Sequence, residues 1–438
     1  MVENFMKILS SKASDFEAAF KEILGRGKMD MSNVSGIVGG IIDEIKAEGD
    51  GALKRHIAKF DKWEVGARKA LKIDTKEMQD AYEEMDGALK DALHLAYDRI
   101  KSYHQKQMPK SWLDFSDNGN VLGQKVTAVD RAGLYIPGGK AAYPSSLLMN
   151  AIPAIVAGVE NIVVCTPTPE GEINALLLAA LHLCGIKEAY KVGGASAIAA
   201  MAYGTESIPK VDVITGPGNI FVATAKKMVY GEVNIDMIAG PSEIGIIADE
   251  KANPAYLAID LLSQAEHDEM ASSLMITTSK KIAEQTSKAV EEALLTLTRQ
   301  DIARESIEKR GAIIVVDSLD EATVLMNEIA PEHLELMVEN PFELLPKIKH
   351  AGAIFMGAYT PEPIGDYMAG PNHTLPTGGT AKFYSPLNVE NFLKKSSIIS
   401  MSAQGIDEIG AACALLAKTE GLDAHEKSVQ IRLDRNNG

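Results

Sequence analysis

The sequence predicts an α/β protein of two units, each with a mostly parallel sheet. Short apolar runs of strand length alternate with segments of helical period, and they do so in two successive series. Several of these runs end at glycine or proline, as strands entering turns do. The chain, at 438 residues, is also too long for one ordinary hydrophobic core.

Roughly the first 110 residues read as helical, because "FEAAFKEIL", "NVSGIVGGIIDEI" and "ALKDALHLAYDRI" all repeat the helical period. The second of these puts Val34, Ile37, Val38, Ile41, Ile42 and Ile45 on one stripe. The first alternating series then begins. "NIVVCTP" is a buried-strand run stopped by proline, and "NALLLAALHLCG" is a helix closed by Gly185. "VDVITGPGN" is a strand running into a glycine turn, followed by the helix "IFVATAKKMVYG". The second series is "EIGIIAD", a helix containing "DLLSQAEHDEM", "SSLMITTS", a helix over 280–298, "GAIIVVD", a helix over 319–329, and "GAIFMGA". Beyond about residue 388 the chain reads as helical again, and "IDEIGAACALLAKTEG" ends at Gly421.

Composition narrows the function. Hydrophobic residues at 46% and charged residues at 24% are those of a soluble globular protein. A net charge of −16 would be repelled by nucleic acid and by anionic membranes, so neither is an expected partner. The N-terminus carries acids where a signal peptide needs an apolar core, which argues for a cytoplasmic protein. The most apolar stretch, 146–164, is interrupted by Asn150, Pro153 and Glu160 and does not read as a membrane span. Cys165, Cys184 and Cys413 form no CxxC and lie in apolar runs, as buried thiols in a reducing compartment do.

The chemistry is expected at four histidines with polar company. Gln264 and His267 lie one helical turn apart, Glu332 adjoins His333, Asp366 precedes His373, and Glu420 precedes His425. Each pair alone also suits a solvated face, a loop or a turn. Together they offer a zinc-like donor set: nitrogens from His267 and His425, a carboxylate from Asp366, and the weaker amide oxygen of Gln264. Glu332 and His333 would then be an acid–base pair beside the metal. No GxGxxG or P-loop occurs. The glycine-rich candidates for a nucleotide are 135–146, 192–200 and 215–225; the last opens a helix after a strand, where backbone N–H groups favour an anion. Such turns also serve simply to reverse the chain.

The segments "GLYIPGG", "GPGNIFVATAK", "IDMIAGPSE", "DLLSQAEHD", "PEHLEL", "GDYMAGPNHTLPTGGTAKFYSPL" and "EGLDAH", in this order across nearly the whole chain, resemble histidinol dehydrogenase. The resemblance implies two Rossmann-like, incomplete doubly wound α/β domains with helical N-terminal and C-terminal extensions. These would be an arm over 1–29, a metal and catalytic domain from 30–134 and 244–387, an NAD-binding domain over 135–243, and an extension over 388–438. It implies four-electron oxidation of L-histidinol to L-histidine through an aldehyde, with two NAD⁺ in succession and one Zn²⁺ per subunit. Gln264, His267, Asp366 and His425 resemble the zinc ligands, and Glu332 and His333 the catalytic pair. Ser242, His373 and Glu420 match positions that hold the substrate, alongside the metal ligands and His333. Tyr135 and Asn219 match NAD contacts. Ser196 stands where the family often has glutamine, and its shorter side chain cannot offer the same amide hydrogen bonds. A homodimer is implied, with Glu420 and His425 completing the partner's site. A relative acting on another polar alcohol, or a zinc hydrolase without nicotinamide, are the other readings.

Overall fold

The computed structural model describes residues 6–25, 31–66, 70–138 and 143–436. The strands, in chain order, are β1 (Lys7–Ser10), β2 (Trp112–Phe115), β3 (Val121–Ala128), β4 (Arg131–Tyr135), β5 (Asn161–Thr166), β6 (Glu188–Lys191), β7 (Val213–Thr215), β8 (Asn234–Ile235), β9 (Glu243–Ala248), β10 (Ser272–Thr277), β11 (Ala312–Val315), β12 (His333–Met337), β13 (Ala353–Met356) and β14 (Leu393–Ser400).

Two parallel sheets dominate. One has the order β6-β5-β4-β7-β8, the other β1-β11-β10-β9-β12-β13. Apart from the added β1, both follow the same winding: three strands laid outward on one side, then a reversal to the other. Each is an incomplete doubly wound sheet, as expected. The reversal falls between β4 and β7 in the first and between β9 and β12 in the second. The central strands β9 and β10 are buried throughout, because helices cover both faces. Pro254–Ala265, Lys280–Leu294 and Gln300–Arg310 pack on one face, Phe16–Gly25 and Leu319–Ile329 on the other.

Three expectations are corrected. The N-terminal arm is not wholly helical, since β1 pairs with β11 as the edge strand. The C-terminal extension opens as β14, which pairs with β3 and, through it, β2. Both segments are too short or too polar to show a helical stripe, and a neighbouring backbone decides their state. The helices Ser32–Glu48 and Asp50–Phe60 pack on the five-stranded sheet, not on the sheet carrying the catalytic pair: Val38, Ile42 and Ile45 share a core with Ile198, Ile214 and Val222. Their apolar stripe specifies burial but not the sheet that covers it.

Residues 108–128 and 393–438 form a separate compact unit. Its antiparallel sheet is accompanied by the helices Ala403–Thr419 and Asp423–Leu433, which pack on each other where Gly410 leaves room for Leu433. Among the described residues, no helix is long and apolar enough to cross a membrane.

The glycine turn after β7 is held from inside. Gly216 has φ +117°, and a Cβ there would run into the Tyr135 carbonyl. Lys226 and Asp236 form a buried ion pair; Lys226 donates to the Gly216 carbonyl at 2.9 Å, and Asp236 accepts from the Gly216 N–H at 2.9 Å. Lys226→Met should therefore strand the Asp236 charge and cost about 3–5 kcal/mol, read as a lower urea midpoint. An unchanged midpoint would show that the pair does not hold this turn.

Candidate active site

The site forms at the amino ends of β9 and β12. Glu332 immediately precedes β12 and His333 is its first residue; Ser242 immediately precedes β9. The helix Pro254–Ala265 runs back from the far end of β9, so its last turn returns Gln264 to the same rim, and His267 follows just beyond it. The segment after β13 brings Glu362 and Asp366, four residues apart. The "PEHLEL" run, whose Glu–His pair also suited a loop, is thus a central strand, and that places the pair at depth.

His333 is 4% exposed. Its Nδ1 lies 3.1 Å from the Glu243 carbonyl, which takes the Nδ1 proton, and 3.7 Å from Glu332 Oε2. Among the described residues its Nε2 has no hydrogen-bond partner; the acids beside it are Asp366 at 3.7 Å and Glu362 at 3.9 Å. His333 lines a cavity of about 500 Å³ together with Asp366, His373, Asn372 and Phe355. Burial alone would lower this imidazole, but Glu332, Glu362 and Asp366 outweigh it and raise it to about 10. Burial pushes the Glu332 carboxyl up to about 8 against the opposing pull of His333. Glu332 Oε2 accepts from the Glu243 N–H at 2.9 Å, which fixes its rotamer.

His267, Glu362 and Asp366 bring donor atoms within 4.8 Å of one another. His267 is exposed and Glu362 buried, so this cluster reaches from the protein interior to its surface. The Gln264 amide directs its NH₂ at Glu362, 2.7 and 3.0 Å away, which turns its oxygen from that carboxylate. Burial raises Glu362. For Asp366 burial acts in the same direction, but the facing His333, His373 and His267 hold it below the usual carboxylate range. Behind the cluster, Glu335 accepts the Glu362 N–H at 3.1 Å, and burial raises both Glu335 and its neighbour Asp260, the latter to about 6.

Glu362, Glu243 and Glu335 were not singled out from sequence. The spacing of Glu362 and Asp366 was the available signal for the first; nothing local marks the other two. Of the acids around Gln264, Asp260 is buried, whereas Asp268 and Glu269 are exposed.

His373 borders the cavity, and burial lowers it. Tyr135 ends β4; its ring is buried and its hydroxyl accepts from the Gly194 N–H at 3.2 Å. Asn219 caps the helix Ile220–Val229, accepting from Phe221 and Val222 at 3.1 and 3.2 Å. Both lie at the carboxyl ends of β4 and β7, the rim where a doubly wound sheet receives ligands. The candidate turn 135–146 falls partly outside the described residues, at 139–142. Ser196 is 3% exposed, with Oγ 3.0 Å from His56 Nδ1, while His56 Nε2 lies 2.9 Å from Glu44. Glu420 and His425 are exposed and belong to the separate unit, at the end of one helix and the first turn of the next.

A family model described as histidinol dehydrogenase matches residues 24–433. Among curated relatives, histidinol dehydrogenase of Sulfurimonas denitrificans is 70% identical over 98% of this chain and 100% of its own length. That of Wolinella succinogenes is 66% identical over 98% of this chain and 99% of its own. The crystal structure of histidinol dehydrogenase from Elizabethkingia anophelis superposes with a TM-score of 0.94 at 36% identity, covering all of both chains.

Proposed function

The chain belongs to the histidinol dehydrogenase family, and on that premise we propose that it oxidises L-histidinol to L-histidine through L-histidinal, in histidine biosynthesis. NAD⁺ accepts both hydrides, and one zinc ion serves each chain. The observation that carries the reading is His333: a buried imidazole on the wall of a cavity, its Nε2 without a hydrogen-bond partner among the described residues, beside Glu332 and the donor cluster.

The residues fit zinc. His267, Glu362 and Asp366 offer nitrogen and oxygen donors, Gln264 would add its amide oxygen by turning its NH₂ away from Glu362, and the set reaches the surface, where the partner's His425 would complete it. A zinc ion held there would supply Lewis acidity and a positive charge that offsets the surrounding carboxylates. His333 Nε2 accepts the hydroxyl proton as the carbinol hydride departs. The carboxylates raise this imidazole, and a zinc ion offsetting them would let the ring be neutral; the Glu243 carbonyl then holds the remaining proton on Nδ1 and leaves Nε2 as the base. Once His333 has passed the hydroxyl proton to solvent, Glu332 beside it takes a proton from the water that adds to the aldehyde. Asp366, Ser242 and His373 bind and orient the amino alcohol. A thiohemiacetal route is disfavoured, because burial pushes the Cys184 thiol up to about 12 and Cys165 higher still. Cys413, expected to be buried, is exposed in the separate unit.

The homodimer reading is supported by that unit's surface. Phe115 and Ile399 are each 71% exposed and Leu416 66%, with Trp112, Ile409 and Leu415 also open. So much apolar surface on so small a unit needs a cover, and a second copy that also receives Glu420 and His425 provides one.

Purified protein given L-histidinol and NAD⁺ should form two NADH for each L-histidine; absence of NADH would sink the reading and leave the hydrolase alternative. The protein should hold about one divalent ion per chain. His267→Ala should lose most of it, and full retention in both His267→Ala and His425→Ala would refute the ligand set.

A further inference from the structure

Asn150 interrupts the most apolar stretch of the sequence, and the fold shows what it touches. It lies inside the helix Pro144–Ala157, fully buried among Leu147, Leu148, Ala151 and Ile152. Asparagine is a poor helix former, and a buried amide is costly unless bonded. A leucine would serve this core better.

The amide reaches in two directions. Its Oδ1 accepts from Thr215 Oγ1 at 2.9 Å, and Thr215 is the residue before Gly216. Its Nδ2 donates to the Ser146 carbonyl at 2.8 Å and lies 3.5 Å from Thr374 Oγ1. Asn372, on the other side of His373, donates to the carbonyl of Met149 at 2.5 Å and accepts from the Thr374 N–H at 2.9 Å. Thus both neighbours of His373 are tied to one helical turn, and that turn is tied to the strand leading into the glycine loop. His104 backs the arrangement: its Nε2 lies 3.4 Å from Asn372 Nδ2 and its Nδ1 2.7 Å from Gln107 Oε1, while burial lowers its pKa and favours the neutral ring these contacts need.

We infer that Asn150, with Asn372 and Thr374, is a positioning residue that sets the His373 loop in register with the glycine turn after β7. Hydride transfer demands that substrate and nicotinamide meet within a few tenths of an ångström, and a fully bonded buried network holds two loops to that tolerance better than apolar packing does. The inference rests on the proposed roles of His373 toward substrate and of the glycine turn toward NAD⁺.

The test compares Thr215→Val, Thr374→Val, Thr374→Ser and Asn150→Leu in the full-length protein. Thr374→Val should raise KM for L-histidinol about tenfold and leave KM for NAD⁺ within about twofold, and Thr215→Val should do the reverse. Asn150→Leu should raise both and lower kcat about tenfold, while Thr374→Ser restores wild-type values within about twofold. A folded Asn150→Leu with both KM values unchanged would overturn the inference, as would failure of Thr374→Ser to restore. If Asn150→Leu does not fold, the two valine variants decide. If the wild type makes no NADH from L-histidinol, the functional reading falls by itself. The inference is then read without turnover: an NAD⁺-induced rise in thermal midpoint as large in Thr215→Val as in wild type would overturn it too.

Discussion

Co-refolding two inactive variants, His333→Ala and His425→Ala, should restore activity to roughly a quarter of wild type, for random pairing of equal amounts in a two-fold dimer. Each variant alone should be nearly inactive. Loss of the buried imidazole removes the base at the hydroxyl, a step worth roughly 10²–10⁴-fold. Loss of His425 removes a proposed metal ligand. His333 lies in the body of the chain, whereas His425 lies in the separate unit formed by 108–128 and 393–438. If that unit serves the partner's site, a mixed dimer gathers both lesions into one site and leaves the other intact. If His425 serves its own chain, every site carries one lesion, and no activity returns despite confirmed subunit exchange.

Glu332→Gln should slow oxidation of L-histidinal about a hundredfold and that of L-histidinol much less, because only the aldehyde step consumes water. Glutamine preserves the shape and can still accept the Glu243 N–H bond, so the loss reports proton transfer and not a collapsed pocket. Burial that holds the Glu332 carboxyl at about 8 also suits a group that exchanges protons near neutrality. Stopped-flow measurement of each half-reaction separates the steps, and equal losses in both would remove Glu332 as the water activator. The Cys165→Ser, Cys184→Ser and Cys413→Ser variants should all keep turning over, apart from packing losses at the two buried positions.

The sequence by itself determined the two α/β series, because strand runs and helical stripes are local periodicities that the chain carries wherever it folds. It also marked the residues whose chemistry is unusual where they stand, such as Glu332 beside His333 and Gln264 a turn before His267. Only the tertiary structure decided what depends on distant neighbours. Lys7–Ser10 became a strand because β11 presents a free edge. The helix of Val38 and Ile42 chose the five-stranded sheet because that face leaves a matching apolar surface. Glu362 entered the donor cluster because β12, β13 and the end of the Pro254–Ala265 helix meet at one rim. The proton affinities of Glu332 and His333 follow from the same convergence. Charge separation is cheap in water and expensive in a buried pocket, and no residue's burial can be read from the residue alone.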